Sequence, residues 1–165
     1  MVKKDEEGTT PSLKRIYKAI GFRNGAPFSL DLYMIPGGFL LMLAAAEAFA
    51  QMYGAARQDG IELKVNTAFR DHEYQKVLHK RYLVATAKYV KGEGPKPAPV
   101  ARPGYSNHQK GIAVDINRAP GDDLTTPVPD SPIDKWLNKN AKTYGFKRTV
   151  ASEPWHWEYD SLIKP

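Results

Sequence analysis

Hydrophobic spacing along the chain predicts helices that alternate with short strands. Over residues 36–58, apolar side chains recur at helical intervals. The predicted face consists of Leu40, Leu43, Ala46, Phe49, Ala50 and Tyr53. Gly60 follows the end of this pattern, as glycine often follows a helix. We expect this helix to pack beneath a sheet.

Residues 61–68 alternate between apolar and polar and predict a strand, with Arg70 just past its end. Asp71 can cap a second helix that runs to about Val90. The proline-rich residues 92–104 predict a loop.

From Gly111 onward a second strand is predicted, because Ile112, Val114 and Ile116 alternate with smaller or polar residues. A turn-rich loop at 118–132, a helix between Pro132 and Gly145 and a strand at 146–150 complete the pattern. This order predicts an α+β fold, with a small antiparallel sheet and helices packed on it.

Length and composition favour one globular domain. The chain has 165 residues, 42% hydrophobic and 25% charged, which suffices for a core. We expect a mobile N-terminal tail at 1–11 and a single monomeric domain at 12–165. The absence of cysteine excludes disulfides and thiolate metal sites.

No secretory signal and no membrane insertion are predicted. The N-terminal residues are polar, and the most apolar run, at 39–50, is too short to cross a bilayer and contains Glu47. The net charge of +6 favours an anionic partner, either nucleic acid or another polyanionic surface. No aromatic-interleaved basic stripe is present, so specific nucleic-acid binding is not expected.

Two short segments carry the candidate chemistry, at residues 106–115 and 153–157. Together they supply two imidazoles, a carboxylate ligand and a spare carboxylate, which is the set of groups found in a catalytic zinc site. Three nitrogen or oxygen ligands leave one coordination position for water.

The spacing of His108 and Asp115 constrains the backbone between them. On a straight helix they would lie about 10 Å apart along the axis, which is too far for one metal ion. The chain must therefore fold back, and Gly111 can adopt the backbone angles of a reversal. Strand alternation then places Asp115 opposite the large aliphatic residues, facing a cleft.

Glu153 and His156 lie three residues apart, and we expect Pro154 to make this short run irregular, which can hold the two side chains apart. Glu153 is the candidate general base, since a base must lie near the metal without binding it. Trp155 and Trp157 can wall the site from water. For Trp157, a place in the core is the alternative if it points away from His156.

The pattern Ser-x-His-x-x-Gly-x-Ala-x-Asp, followed by Glu-x-Trp-His, resembles the VanY-type D-alanyl-D-alanine carboxypeptidases and their endopeptidase relatives. These are zinc enzymes that cut the peptide stems of peptidoglycan. Residues 67–75 resemble the arginine-bearing segment of the family, and residues 136–146 resemble its penultimate helix and turn. The resemblance covers roughly residues 61 to 160.

The resemblance implies one Zn²⁺ ion, with His108, Asp115 and His156 as its ligands and Glu153 as the base that takes a proton from the attacking water. It also implies roles for two further groups of residues. Arg70 would stabilise the oxyanion, whereas Ser106 and Gln75 would contact substrate, in a site bordered by Trp155.

Arg70 has a structural alternative, and the two remaining histidines have no assigned role. Arg70 can instead pair with the neighbouring Asp71. His72 and His79 have no ligand partner in the sequence pattern, so we interpret both as structural residues.

The function expected from the resemblance is removal of terminal D-alanine from peptidoglycan stem peptides at the bacterial cell wall, in the periplasm or outside the cell. No signal peptide is visible, so one route by which the protein could reach the cell wall is release as a phage lysis enzyme. The alternatives are an L-alanyl-D-glutamate endopeptidase of the phage endolysin type, a non-catalytic zinc-containing domain that binds cell wall, and a His-metal nuclease.

Overall fold

The structure, a computed structural model, describes residues 13–117 and 130–162. The predicted tail at 1–11 and most of the predicted loop at 118–132 lie outside the described residues. The described elements are, in chain order, β1 (Arg15–Arg23), β2 (Ala26–Met34), β3 (Leu40–Met42), α1 (Leu43–Gln58), β4 (Val65–Thr67), α2 (His72–Val90), a 3₁₀ turn (Asn107–Lys110), β5 (Ala113–Ile116), α3 (Pro132–Asn140), a second 3₁₀ turn (Ala141–Tyr144), β6 (Phe146–Arg148) and β7 (His156–Tyr159).

Strands β1, β2 and β3 form a three-stranded antiparallel sheet. The tight turn between β1 and β2 is Asn24-Gly25, and both residues have positive φ, 51° and 82°. The hydrophobic pattern did not predict this hairpin, although Asn-Gly is a strong signal for such a turn.

The predicted helix at 36–58 was wrong at its start, because α1 begins at Leu43. Gly37 and Gly38 have φ of 96° and 82° and make a turn. The chain then pairs with β2 as strand β3 before the helix begins. A three-residue strand is too short to interrupt the apolar periodicity of the helix that follows it. The hydrophobic pattern therefore does not separate β3 from α1.

The second sheet has four antiparallel strands in the order β4-β5-β7-β6. With three α-helices in the described part of the chain, the predicted α+β class is confirmed. The predicted strand at 61–68 is shorter than expected, because only Val65–Thr67 forms a strand. The segment around His156, predicted to be irregular, forms strand β7.

Helix α1 packs against the four-stranded sheet, as predicted. Phe49 on the helix meets Phe146 on β6 edge to face, with ring centroids 6.2 Å apart. Val114, Ile116 and Trp157 from the central strands β5 and β7 join the same buried cluster. This core therefore covers one face of the sheet.

Helix α2 follows the predicted boundaries. Asp71 caps it, because its carboxylate accepts a hydrogen bond from the backbone N–H of Tyr74 at 2.7 Å. No helix within residues 13–117 and 130–162 is both long enough and apolar enough to cross a membrane.

Gly111 makes the predicted reversal between His108 and Asp115. Its φ is 71°, in the left-handed region, and its N–H donates a hydrogen bond to the His108 carbonyl at 3.3 Å. A Cβ at this position would lie 2.9 Å from Leu30 Cδ1 and 3.1 Å from the backbone nitrogen of Met42. The glycine thus lets the turn lie directly against the three-stranded sheet.

We expect Gly111→Ala to destabilise the fold more than Gly60→Ala does. Both glycines have positive φ, 71° and 73°, but nothing lies within 4 Å of a Cβ built on Gly60. Gly60→Ala should lower the free energy of unfolding by about 1 to 2 kcal/mol, because alanine is strained in the left-handed conformation. Gly111→Ala should cost at least about 1 kcal/mol more, since overpacking adds a similar amount. Urea denaturation measures both, and equal losses would contradict the packing argument.

Candidate metal centre

Three predicted ligands meet at the four-stranded sheet. His108 lies on the first 3₁₀ turn, Asp115 on β5 and His156 on β7, and one ligand atom from each lies within 4.8 Å of the others. The Asp115 Oδ1 atom is 3.2 Å from His108 Nε2 and 3.0 Å from His156 Nδ1. Two imidazole nitrogens and a carboxylate oxygen are ligands that suit zinc.

Strand pairing explains why Asp115 and His156 meet. They are direct partners in the antiparallel register of β5 and β7, while Val114 is paired with Trp157. Since side chains alternate across a strand, Asp115 and His156 share the face opposite the core. The expectation that Asp115 faces a cleft agrees with this arrangement.

The third ligand, His108, is oriented by the backbone of a neighbouring segment. Its Nδ1 lies 2.7 Å from the carbonyl oxygen of Ala68, to which it donates, so Nε2 is left to face Asp115. Ser106 caps the turn through a 3.3 Å hydrogen bond from the His108 N–H to its Oγ. Metal-binding histidines commonly have such a second partner on the other ring nitrogen.

Arg70 pairs with Asp115 and not with Asp71. Its Nη2 donates to Asp115 Oδ2 at 2.8 Å, which leaves Oδ1 toward the two histidines. Asp71 is instead occupied as the cap of α2. An arginine carries five N–H donors, so Arg70 can hold Asp115 and still present a donor to the cavity.

The buried charges shift one another's pKa values. Burial alone would raise the pKa of Asp115, but the surrounding imidazoles and the Arg70 guanidinium lower it below its ordinary range. Burial lowers the pKa of His108. Burial also opposes protonation of His156, but hydrogen bonds to Asp115 and Glu158 raise its pKa to about 9. The metal-free site therefore keeps a proton on His156 at neutral pH.

One cavity of about 790 Å³ opens over this centre. All of the predicted site residues line it: Arg70, Gln75, Ser106, His108, Asp115, Glu153, Trp155 and His156. Glu153 belongs to the turn that precedes β7, where its N–H donates to the Val150 carbonyl and its carbonyl accepts from the His156 N–H. The base candidate and the ligands thus share one solvent-accessible space.

Two predicted substrate contacts have different surroundings. Gln75 is fully buried, and its Nε2 donates to the Ala101 carbonyl at 2.9 Å. Its Oε1 has no hydrogen-bond partner within the described residues. Ser106 has a structural role, because it caps the 3₁₀ turn. Its contact with substrate stays a prediction.

The other aromatic and histidine residues behave as structural groups. Trp157 lies in the core, on the face away from His156. His72 stacks on Phe22 with ring centroids 4.0 Å apart, and His79 Nδ1 lies 3.2 Å from the Val100 carbonyl oxygen. Neither belongs to the ligand cluster.

The sequence reasoning missed two residues beside the centre. Glu158 is buried, and its Oε1 lies 2.8 Å from His156 Nε2. Asn107 Nδ2 donates to the same oxygen at 2.7 Å. The signal that could have found Glu158 is its position two residues after His156, which in a strand means the same face. An irregular segment, which Pro154 favours, would lack this alternation.

The family model for VanY, D-alanyl-D-alanine carboxypeptidase, matches residues 39–162 of this chain. The chain belongs to this family. A D-alanyl-D-alanine carboxypeptidase of Enterococcus faecalis is 30% identical over 148 residues, which make up 81% of this chain and 53% of the relative. The chain spans about half the length of the curated relatives it matches.

Solved structures of the family agree with the fold. VanYB in complex with D-alanine-D-alanine has a TM-score of 0.61 and 25% identity, covering 85% of this chain and 84% of its own. A VanY D,D-pentapeptidase mutant from a VanB-type vancomycin resistance cassette, in complex with Zn(II), has a TM-score of 0.59 and 26% identity. It covers 79% of this chain and 78% of its own length.

We expect the metal-free protein to lose stability as the pH rises from about 6.5 to about 9. His156 holds its proton in the folded state up to about pH 9, whereas the ordinary value in an unfolded chain is 6.5. The stabilisation from the charged imidazole is fully present below pH 6.5 and is lost progressively as the pH rises to about 9. The stabilisation is at most about 3.5 kcal/mol, since one pKa unit corresponds to about 1.4 kcal/mol.

Urea denaturation in the presence of a chelator, at several pH values across this window, measures the effect. His156→Gln is the control, because it removes the titrating group and should flatten the slope. A parent protein equally stable at both ends of the window would contradict the raised pKa.

Proposed function

We propose that this chain is a zinc metallopeptidase that hydrolyses peptidoglycan stem peptides and releases the terminal D-alanine. The observation that carries this proposal is the buried trio His108, Asp115 and His156, at a cavity that Glu153 also lines. Membership of the VanY family and the D-alanyl-D-alanine carboxypeptidase relative support the same activity.

The residues present fit a zinc ion. The three donor atoms are close together, and each histidine has a partner for the nitrogen that faces away from the trio. A zinc ion bound there supplies a Lewis acid that polarises a peptide carbonyl and makes water a better nucleophile near neutral pH. The Zn(II) complex of the related VanY pentapeptidase supports this choice of metal.

Glu153 is proposed to move the proton. Glu153 lines the cavity and is partly buried, on the turn that leads directly into His156. It accepts a proton from the water that attacks the carbonyl carbon. It then donates this proton to the leaving amine nitrogen as the C–N bond breaks, so that a carboxylate and an amine result.

Arg70 is proposed to stabilise the negative charge that develops on the substrate, and Gln75 is proposed to bind a polar group of the substrate. Arg70 is held toward the cavity by Asp115 and can donate to the oxygen on which charge develops. The unpaired Oε1 of Gln75 is a buried acceptor that an N–H of the substrate can satisfy. Ser106 and Trp155 complete the proposed substrate wall.

We also propose that residues 12–165 form one domain that works as a monomer at the bacterial cell wall. The hairpin of β1 and β2 packs on two segments beside the candidate site, since the Gly25 N–H donates to the Gly104 carbonyl and Phe22 stacks on His72 of α2. The VanYB complex with D-alanine-D-alanine supports a stem peptide as the partner.

The direct test uses purified stem pentapeptides that end in D-alanyl-D-alanine, with mass spectrometry of the products. We expect loss of a single alanine, no cleavage after a chelator and recovery with added zinc. Two internal fragments would show an endopeptidase instead. A protein that holds one zinc ion per chain but cleaves none of these peptides would contradict the peptidase activity.

Glu153→Gln should lower the rate of cleavage by about 100- to 10,000-fold, because general acid–base catalysis contributes about that much. Zinc binding should persist, since Glu153 is not among the ligands. The matched control is Glu47→Gln, the same change at an exposed residue of α1. A Glu153→Gln variant with the parent rate would remove Glu153 from the mechanism.

A further inference from the structure

His156 is held at both ring nitrogens. Nδ1 lies 3.0 Å from Asp115 Oδ1, and Nε2 lies 2.8 Å from Glu158 Oε1. The predicted metal set accounts for the first contact but not for the second. Glu158 is 8% exposed and lines the same cavity face of β7 as His156.

Glu158 is itself fixed in place by a second strong contact. Asn107 Nδ2 donates to the same Oε1 at 2.7 Å. Asn107 precedes His108 on the 3₁₀ turn, so Glu158 joins the segments that carry the two histidines. The carboxylate therefore fixes the ring of His156 relative to the turn that bears His108.

The contact at Nε2 decides which nitrogen can bind a metal. A neutral imidazole has one N–H and one lone pair. Carboxylates lie beside both ring nitrogens, Asp115 at Nδ1 and Glu158 at Nε2. Because Asp115 belongs to the proposed ligand set and Glu158 does not, the ring proton belongs at Nε2 with Glu158 when the Nδ1 lone pair binds a metal. His108 shows the reverse arrangement, with Nδ1 on the Ala68 carbonyl and Nε2 toward Asp115. Each histidine thus presents a different nitrogen to the centre.

We propose that Glu158 is a positioning residue that fixes the tautomer and the ring orientation of His156 for metal binding. This role rests on the proposed metal centre. Histidine ligands of metals are commonly oriented by such carboxylates, and loss of one typically weakens metal binding 10- to 100-fold. Glu158 acts through His156 and has no part in bond breaking.

The test measures zinc affinity by competition with a chromophoric chelator for the parent, Glu158→Ala, Glu158→Gln and Glu47→Gln. Glu158→Ala should bind zinc 10- to 100-fold more weakly. Glu158→Gln keeps an oxygen acceptor and should recover most of the loss. Glu47→Gln should bind as the parent does, because it is exposed on α1.

A second readout separates positioning from a contribution to folding alone. Nitrogen-15 NMR of the zinc-bound protein should show the remaining ring proton of His156 on Nε2 in the parent. Glu158→Ala should shift the ring toward a mixture of both tautomers. A folding contact alone would change the urea midpoint and leave both the tautomer and the zinc affinity of the folded protein unchanged.

The outcomes distinguish this role from the proposed activity. Parental zinc affinity and an unchanged tautomer in Glu158→Ala would overturn the positioning role. If the parent binds zinc but cuts no stem peptide, and Glu158→Ala still weakens zinc binding and changes the tautomer, only the proposed activity is overturned. A parent protein that does not bind zinc would overturn both.

Discussion

The carboxylate of Asp115 is the buried charge around which this structure is organised. It is only 1% exposed, and a buried ion costs several kcal/mol unless charged or hydrogen-bonding partners surround it. Its partners are Arg70, His108 and His156, which come from three separate segments. Those segments must therefore converge for the fold to tolerate the charge. The same convergence produces a cluster of ligand atoms around one point.

Strand alternation lets a small domain hold this charge next to a dry core. In β5 and β7, Val114 and Trp157 enter the core while their neighbours Asp115 and His156 face the cavity. A slip of one residue in the register would place the ligands among the apolar side chains. The core packing of α1 on the other face opposes such a slip, since it holds the aliphatic and aromatic residues inward. Stability and site geometry thus depend on the same pairing.

Local signals predicted some elements well. Asp71 marked the start of α2 because a carboxylate can accept the unpaired N–H groups of a first turn. Gly111 marked the reversal before β5 because glycine tolerates positive φ. The start of α1 could not be found in this way, since β3 depends on pairing with β2, and its own three residues continue the apolar pattern of the helix. The hairpin had a local signal in Asn24-Gly25 that was not used.

The chemical inventory was already present in the amino-acid sequence: which side chains can bind a metal, which carboxylate is spare, and which backbone position needs glycine. These are properties of residue types and of short spacings, so they can be read without a fold. The contacts of Arg70 with Asp115 and of Glu158 with His156 arise only when the chain is folded. Which nitrogen each imidazole presents to the centre is also set by the fold. Such facts depend on the register of strands paired across long stretches of chain, and on acceptors such as the Ala68 carbonyl, whose position local sequence does not specify.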